Sequence, residues 1–234
     1  LGISSGGELA RQAKKHSFPL IQIPGGFSPR AVLGYSAIPL LIALSKLGFG
    51  KAYRPEELKE AQVLIRNLAE SHYGIDVPFQ KNKAKQLAEK CFKKYVFIYS
   101  GIDYFDVAAL RWRGQIEENA KAIATHHVLP EMNHNELVGW KNPASLLKES
   151  VVFFLRDQAD HKRVQMRMNL TKEIIERLAD KEVGKLRFEY FRCFSQAVFI
   201  IQTIRRACVP EVVAEFCIVN AFFDEDSVKG LAIH

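Results

Sequence analysis

The amino-acid sequence predicts an α/β fold of two doubly wound parallel-sheet domains, the first of them incomplete at its N-terminal end. Short apolar runs typical of buried strands alternate with helical patterns of about 10 to 20 residues. The alternation occurs on both sides of a stretch at 73–80 that contains Gly74 and Pro78. We therefore assign residues 1–80 to the remainder of one domain plus a linker helix, and residues 81–234 to a second domain.

The first domain begins within a strand-helix-strand rhythm. Leu1 is not an initiator Met, and residues 1–3 have the pattern of the end of a strand. We therefore expect native sequence before Leu1. The elements that follow are a helix over 8–15, a strand over 19–24, a helix over 31–47 and an amphipathic helix over 55–70.

The second domain repeats the alternation with longer elements. Its predicted strands cover residues 95–99 and 151–155, and its predicted helices cover 82–90, 106–125 and 163–179. A long, mainly helical apolar segment follows over 188–223, interrupted near Pro210 because proline cannot continue a helix.

Composition narrows the class of protein. The chain has 234 residues, 48% of them hydrophobic and 25% charged, which is ordinary for a folded globular protein. Its formal charge of +7 suits nucleic acid or an anionic metabolite equally well. Because the basic residues are dispersed among acidic ones without an aromatic reading motif, we expect a small anion and no nucleic acid.

The four cysteines, Cys91, Cys193, Cys208 and Cys217, show no spacing typical of a metal site or a disulfide scaffold. We interpret them as reduced, mostly buried thiols of a cytoplasmic protein, and expect no metal. No apolar run approaches the roughly 20 residues that a membrane-spanning helix needs. Insertion into a membrane is therefore not expected.

The most informative segment is 131–140, EMNHNELVGW, where Glu136 lies among amide and imidazole side chains. This pattern after a strand favours a positioned acid/base over packing. Upstream, Gln115 and Asn119 are four residues apart on one face of a predicted helix, directed toward the same region. A polar contact between domains explains this pair nearly as well as a contact with a substrate or with Glu136 does.

A second segment, 25–35, is suited to bind an anion. Two glycines follow a strand, and Arg30 stands where a helix begins, so helix amides and a guanidinium would both favour negative charge. A simple strand-to-helix turn with a surface arginine explains the local sequence equally well.

Taken together, four segments resemble the bifunctional phosphoglucose/phosphomannose isomerases of the sugar isomerase (SIS) group. They are 25–35, 82–88, 111–121 and 133–140, and they occur in the family's order. The resemblance implies two SIS domains and a homodimer that interconverts glucose 6-phosphate or mannose 6-phosphate with fructose 6-phosphate. It implies no metal or organic cofactor.

The resemblance also implies roles for particular residues. Glu136 matches the base that moves a proton through a cis-enediolate, and Arg30 matches the arginine that stabilises this intermediate. His161 follows a strand as the family's ring-opening histidine does, and is expected to reach the partner subunit's site. A histidine before a helix is otherwise usually a cap or a surface residue. Three further expectations come from position alone. His134, two residues before Glu136, is expected to orient the segment 131–140, here called the base loop, by hydrogen bonding. Gln115 and Asn119, on one helical face, are expected to touch substrate hydroxyls or Glu136.

Three departures from the family pattern leave a rival open. No segment matches its phosphate-binding loop, which is expected upstream of Ser4, and the segment 203–211 differs from its C-terminal helix. Lys229 is out of register with its C-terminal lysine. The rival is a non-catalytic SIS protein that binds a phosphosugar and regulates a partner; a related ketose-phosphate isomerase with another substrate is a third possibility.

Overall fold

The computed structural model describes residues 1–29, 32–49, 55–102, 105–157, 159–182 and 187–191, with the backbone alone at 57, 179–182 and 187–191. Described residues up to Arg66 belong to one compact unit, and those from Asn67 onward belong to a second. The strands of both units are parallel, which confirms the predicted α/β class.

The first unit contains the predicted strand-helix-strand arrangement. Strands β1 (Gly2–Ser4) and β2 (Leu20–Gln22) pair in parallel across helix α1 (Gly7–His16). Helices α2 (Leu33–Lys46) and α3 (Pro55–Leu68) follow. A π-helical turn, Ala69–Tyr73, then continues α3 at the start of the second unit.

The described part of the second unit is built on a parallel sheet with the strand order β4-β3-β5-β6. The strands are β3 (Tyr95–Gly101), β4 (Ala124–Leu129), β5 (Ser150–Leu155) and β6 (Arg187–Phe191). Every residue of β5 is buried, as is every residue of β3 after Tyr95, because both strands lie inside the sheet with helices on its faces.

Helices connect these strands. Asn82 caps α4 (Lys83–Cys91) by accepting a hydrogen bond from the Lys85 backbone N–H at 3.1 Å. The remaining helical segments are a 3-10 turn at Phe79–Lys81, α5 (Asp106–Gln115) with its π-helical extension Ile116–Ala120, α6 (Glu131–His134), a 3-10 turn at Leu137–Gly139, α7 (Ala144–Lys148) and α8 (Lys162–Glu182).

The two faces of the second sheet pack against different helices. Successive strand residues point to opposite faces. On one face, Trp112 of α5 packs on Phe153, with ring centroids 4.8 Å apart. On the other face lies a core cluster that includes segments after β4 and helix α8; its buried members are Phe97, Tyr99, Leu129, Met132, Trp140, Leu147, Val152, Phe154, Met168 and Ile175.

The predicted helix over 106–125 is wrong at its C-terminal end. The helical segment ends at Ala120, and Lys121 adopts a left-handed conformation with φ 54°. The next residues form β4, which pairs with β3 from Ala124 to Leu129. A non-glycine residue in the left-handed position gives no sequence signal for the end of a helix.

The predicted helical character of the segment from Phe188 is also wrong at its start. Residues Arg187–Phe191 form β6, beside β5 in the sheet. This RFEYF run is rich in aromatic residues, which favour strands. The rest of that prediction, with Cys193, Cys208 and Cys217, falls outside the described residues.

Two further expectations concern a buried cysteine and membrane-spanning helices. Cys91 is buried in α4, as predicted for a thiol of the core. In the part of the chain that the structure describes, no helix combines the length and apolar character needed to cross a membrane.

Candidate active site

The carboxyl ends of neighbouring parallel strands bring the chemically interesting side chains of the second unit to one edge of its sheet. Ligands of open α/β sheets bind at this edge. Tyr99 lies near the end of β3, the base loop 131–140 follows β4, and His161 lies beyond the end of β5. Tyr99, the base loop and His161 therefore follow the carboxyl ends of the strands, where a parallel sheet binds its ligand.

The base loop is anchored by buried apolar side chains at both ends. Met132 is fully buried and Trp140 is 2% exposed, both within the core cluster. Between them, the Glu136 backbone N–H donates to the Asn135 Oδ1 at 2.6 Å and to the Met132 carbonyl at 3.1 Å. These hydrogen bonds fix the backbone of Glu136. The residue itself is half-buried, so its side chain is still accessible to solvent.

A hydrogen-bonded chain of three side chains ends on the Glu136 carboxylate. The Tyr99 hydroxyl donates to Glu136 Oε1. The indole Nε1–H of Trp140 in turn donates to the Tyr99 oxygen at 3.0 Å. Tyr99 and Trp140 are both buried, so only the carboxylate end of this chain reaches toward solvent.

The environment of Tyr99 keeps its hydroxyl neutral. Burial raises the pKa of Tyr99 well above its usual value of 10.0, and the negative charge of Glu136 and its hydrogen bond raise that pKa further. A neutral phenol keeps its proton and can donate a hydrogen bond. Tyr99 is therefore a hydrogen-bond donor to the carboxylate.

The sequence does not single out Tyr99, because the segment 95–99 has the pattern of an apolar strand. One signal could have found it: a tyrosine near the carboxyl end of a central strand carries a hydroxyl to the edge where sites form. Trp140 was part of the recognised motif, but no role was predicted for it.

The base loop is also tied to helix α8. The Asn133 side-chain amide donates to the hydroxyl of Thr171, a residue 1% exposed, at 2.6 Å. Arg167 Nη1 lies 3.4 Å from the Asn133 oxygen and adds a weaker contact. His134 ends α6 and is exposed to solvent. Its role in orienting the loop stays a prediction.

His161 is exposed and occupies the N-terminal cap position of α8. Its Nδ1 accepts a hydrogen bond from the Arg163 backbone N–H at 3.2 Å, and its carbonyl accepts from Val164 at 2.8 Å. Before it, the Asp160 carboxylate accepts from the Asp157 backbone N–H at 2.9 Å and fixes the turn. Among the described residues, no hydrogen bond joins His161 or His134 to Glu136.

Gln115 and Asn119 are brought together by the helical turn that carries them. The Asn119 amide donates to Gln115 Oε1 at 2.8 Å and to the Gln115 carbonyl at 2.9 Å, and both residues are 7% exposed. They belong to α5 and its extension, which pack on the face of the sheet opposite the core cluster. This burial favours a structural polar contact, and substrate binding by the pair stays a prediction.

Two predicted features are not tested by these contacts. Arg30 lies outside the described residues. Within the described ranges, no three His, Cys, Asp or Glu side chains come together in a way that could hold a metal ion.

Comparisons with known proteins find a matching family model and several named relatives. Residues 80–187 match the model of the bacterial phosphoglucose isomerase C-terminal SIS domain. The bifunctional phosphoglucose/phosphomannose isomerase of Caldicellulosiruptor bescii is 41% identical over 175 residues, which cover 75% of this chain and 51% of that protein. The enzyme of the same name from Aquifex aeolicus is 36% identical over 176 residues, covering 75% of this chain and 50% of that protein.

The chain thus spans about half the length of the curated relatives that it matches. Among solved structures, a hypothetical protein of Thermus thermophilus superposes with a TM-score of 0.57 at 13% sequence identity. The superposition covers 98% of this chain and 60% of that protein, and at this identity it shows a shared fold alone.

Proposed function

We propose that this protein is an aldose-ketose isomerase of hexose 6-phosphates, because residues 80–187 match the C-terminal SIS domain of the bacterial phosphoglucose isomerases and its relatives at 41% and 36% identity are named bifunctional phosphoglucose/phosphomannose isomerases. It interconverts glucose 6-phosphate and mannose 6-phosphate with fructose 6-phosphate through a cis-enediolate. The chain covers about half of its relatives, so the activity is proposed for the whole protein.

One observation carries the proposal beyond the family match. The half-buried carboxylate of Glu136 lies on a loop that directly follows β4, at the carboxyl edge of a parallel sheet. The loop is fixed by Met132 and Trp140, and the carboxylate accepts a hydrogen bond from Tyr99. A protein that only binds a phosphosugar has no need for a carboxylate held in this way.

The proposed reaction needs few groups. In the open-chain aldose, Glu136 removes the proton from C2. The C–H electron pair forms the C1–C2 double bond while the π pair of the C1=O bond moves onto O1, which gives the enediolate. The proton then returns to C1, while the hydroxyl proton moves from O2 to O1, and the ketose forms. Arg30 is proposed to stabilise the developing negative charge on the oxygens, as a cation beside an enediolate does.

Ring opening comes before the proton transfer. His161 is proposed as its acid/base, since an imidazole exchanges protons near neutral pH, and as a residue that serves the site of the partner subunit in a homodimer. Gln115 and Asn119 are proposed to hold substrate hydroxyls or the base, and His134 to orient the base loop. No cofactor takes part in this scheme, and a cytoplasmic location fits its substrates.

The test is a coupled assay of the full-length protein with fructose 6-phosphate, followed by glucose 6-phosphate and mannose 6-phosphate as substrates. Turnover of fructose 6-phosphate supports the proposal, and the ratio of the two aldose rates gives the substrate preference. Calorimetric binding of fructose 6-phosphate without turnover would contradict it and favour the rival, a non-catalytic SIS protein that regulates a partner in response to a phosphosugar.

A further inference from the structure

We propose that Tyr99 is the positioning residue of the catalytic base: its hydroxyl, oriented by Trp140, holds Glu136 Oε1 so that Oε2 takes the substrate proton. The inference rests on the proposed function, because it assigns a task to a neighbour of Glu136. It concerns contacts within the second unit only, between β3 and the base loop.

The direction of the hydrogen bonds is fixed by chemistry. An indole Nε1–H only donates, so the Tyr99 oxygen must be the acceptor of the 3.0 Å bond from Trp140. A phenol hydroxyl has a single proton, which is therefore left for Glu136. An ionised carboxylate can only accept. The chain can therefore run only from Trp140 through Tyr99 to Glu136.

The position of the hydroxyl is fixed by packing. Tyr99 is fully buried on β3, a strand with neighbours on both sides in the sheet. Its ring lies 5.6 Å from that of Phe154 and meets the Trp140 ring edge-on at 6.4 Å. Trp140 packs in turn on Phe97 at 4.7 Å. A donor that cannot change rotamer holds the carboxylate in one orientation before substrate arrives.

A purely structural role would leave part of this arrangement unexplained. Phenylalanine would fill the same space in the core cluster, whereas a buried hydroxyl costs stability unless it is bonded. The hydroxyl here is bonded to a half-buried carboxylate at the sheet edge, and its other partner among the described residues is Trp140. Holding that carboxylate is the function that the hydroxyl adds.

The first experiment compares Tyr99→Phe with Tyr95→Phe in the full-length protein. Tyr95 lies on the same strand and packs beside the same cluster, so both variants lose one phenolic oxygen from β3. We expect Tyr99→Phe to lower kcat about 10- to 100-fold with KM changed less than about threefold, because misplacing a reacting group slows chemistry more than binding. Tyr95→Phe should keep wild-type kinetics.

The second experiment is a double-mutant cycle with Glu136→Gln. If Tyr99 acts only through the base, adding Tyr99→Phe to Glu136→Gln lowers the residual rate by less than about twofold. Losses that multiply in the double variant would overturn the inference, since a structural defect lowers the residual rate as well.

The outcomes separate this inference from the proposed function. An inactive wild type overturns the proposed function and the inference with it. An active wild type with Tyr99→Phe equal to Tyr95→Phe overturns the inference alone. Tyr99→Phe could fail to fold because it leaves the Trp140 N–H unpaired. In that case the double variant Tyr99→Phe with Trp140→Phe is used, since it removes both polar groups. Wild-type kcat in that folded double variant would also overturn the inference.

Discussion

At the scale of the residue, His161 stands in a position that suits two roles. As a cap, its Nδ1 accepts from the Arg163 N–H at the start of α8. As the proposed ring-opening group, it needs an exposed imidazole, and it has one. The two roles use different properties of the side chain, since a cap needs an acceptor atom and ring opening needs a group that exchanges protons.

We therefore predict different results for two substitutions of His161. Asparagine is a good N-cap, so His161→Asn should keep the thermal midpoint while lowering kcat/KM for glucose 6-phosphate about 100-fold, the contribution typical of a general acid or base. His161→Ala should lose the cap as well, at a cost of about 0.5–2 kcal/mol in unfolding free energy. Coupled assays and thermal denaturation measure the two effects. Wild-type activity in His161→Asn would reduce the residue to a cap.

The sequence predicts a residue of the candidate site only where the residue type and its neighbours are unusual for a packed core. Glu136 stood out because a carboxylate among amides on a loop is unusual for packing. Tyr99 did not, because its neighbours make it one more aromatic residue of a buried strand. Its role follows from strand order and from the approach of Trp140, which are properties of the folded chain.

At the scale of the element, the ends of helices and strands decided which predictions were correct. The strand around 95–99 and the helix after Asn82 were confirmed, since their apolar periodicity and cap are local features. Strand β4 was missed because the π-helical extension of α5 ends at Ala120, before a left-handed Lys121, without a glycine or proline to mark the end. Its sequence, ATHHVL, places His126 and His127 side by side, so it lacks the apolar–polar alternation typical of a strand.

One close contact between elements leads to a prediction. Gly101 ends β3, and a Cβ at this position would lie 3.0 Å from both Asp160 Oδ1 and Val164 Cγ1. These atoms belong to the turn and helix that present His161. Gly101→Ala should therefore push on that turn and lower the free energy of unfolding by about 1–3 kcal/mol.

The matched control is Gly114→Ala in α5, where a Cβ would meet nothing within 4 Å. There, alanine should raise the free energy of unfolding by about 0.5–1 kcal/mol, because glycine is the poorer helix former. Urea denaturation of both variants measures the difference. Equal stability of Gly101→Ala and wild type would mean that the turn after β5 adjusts without cost.

At the scale of the whole molecule, the proposal requires more than one chain. The site is proposed to combine Glu136 of one subunit with His161 of its partner in a homodimer. In a dimer of this kind the two sites are related by symmetry, so each subunit lends one residue and receives one. The arrangement can be tested without a structure of the dimer.

Mixing inactive variants gives the test. Glu136→Gln and His161→Asn subunits should each be nearly inactive alone. After they are mixed, partly unfolded and refolded, half of the dimers are mixed ones, and each has one site with both residues intact. About a quarter of the wild-type activity should then return. If His161 serves its own subunit, no mixed dimer has an intact site and activity stays at the level of the parents.

The central claim is that Glu136 is the base of a hexose 6-phosphate isomerase, and the kcat of Glu136→Gln tests it most directly. The matched control is Glu131→Gln, an exposed glutamate of the same loop. The coupled assay with fructose 6-phosphate should show kcat lowered about 100- to 10,000-fold in Glu136→Gln and unchanged in Glu131→Gln, with both variants folded. Wild-type kcat in folded Glu136→Gln would contradict the claim.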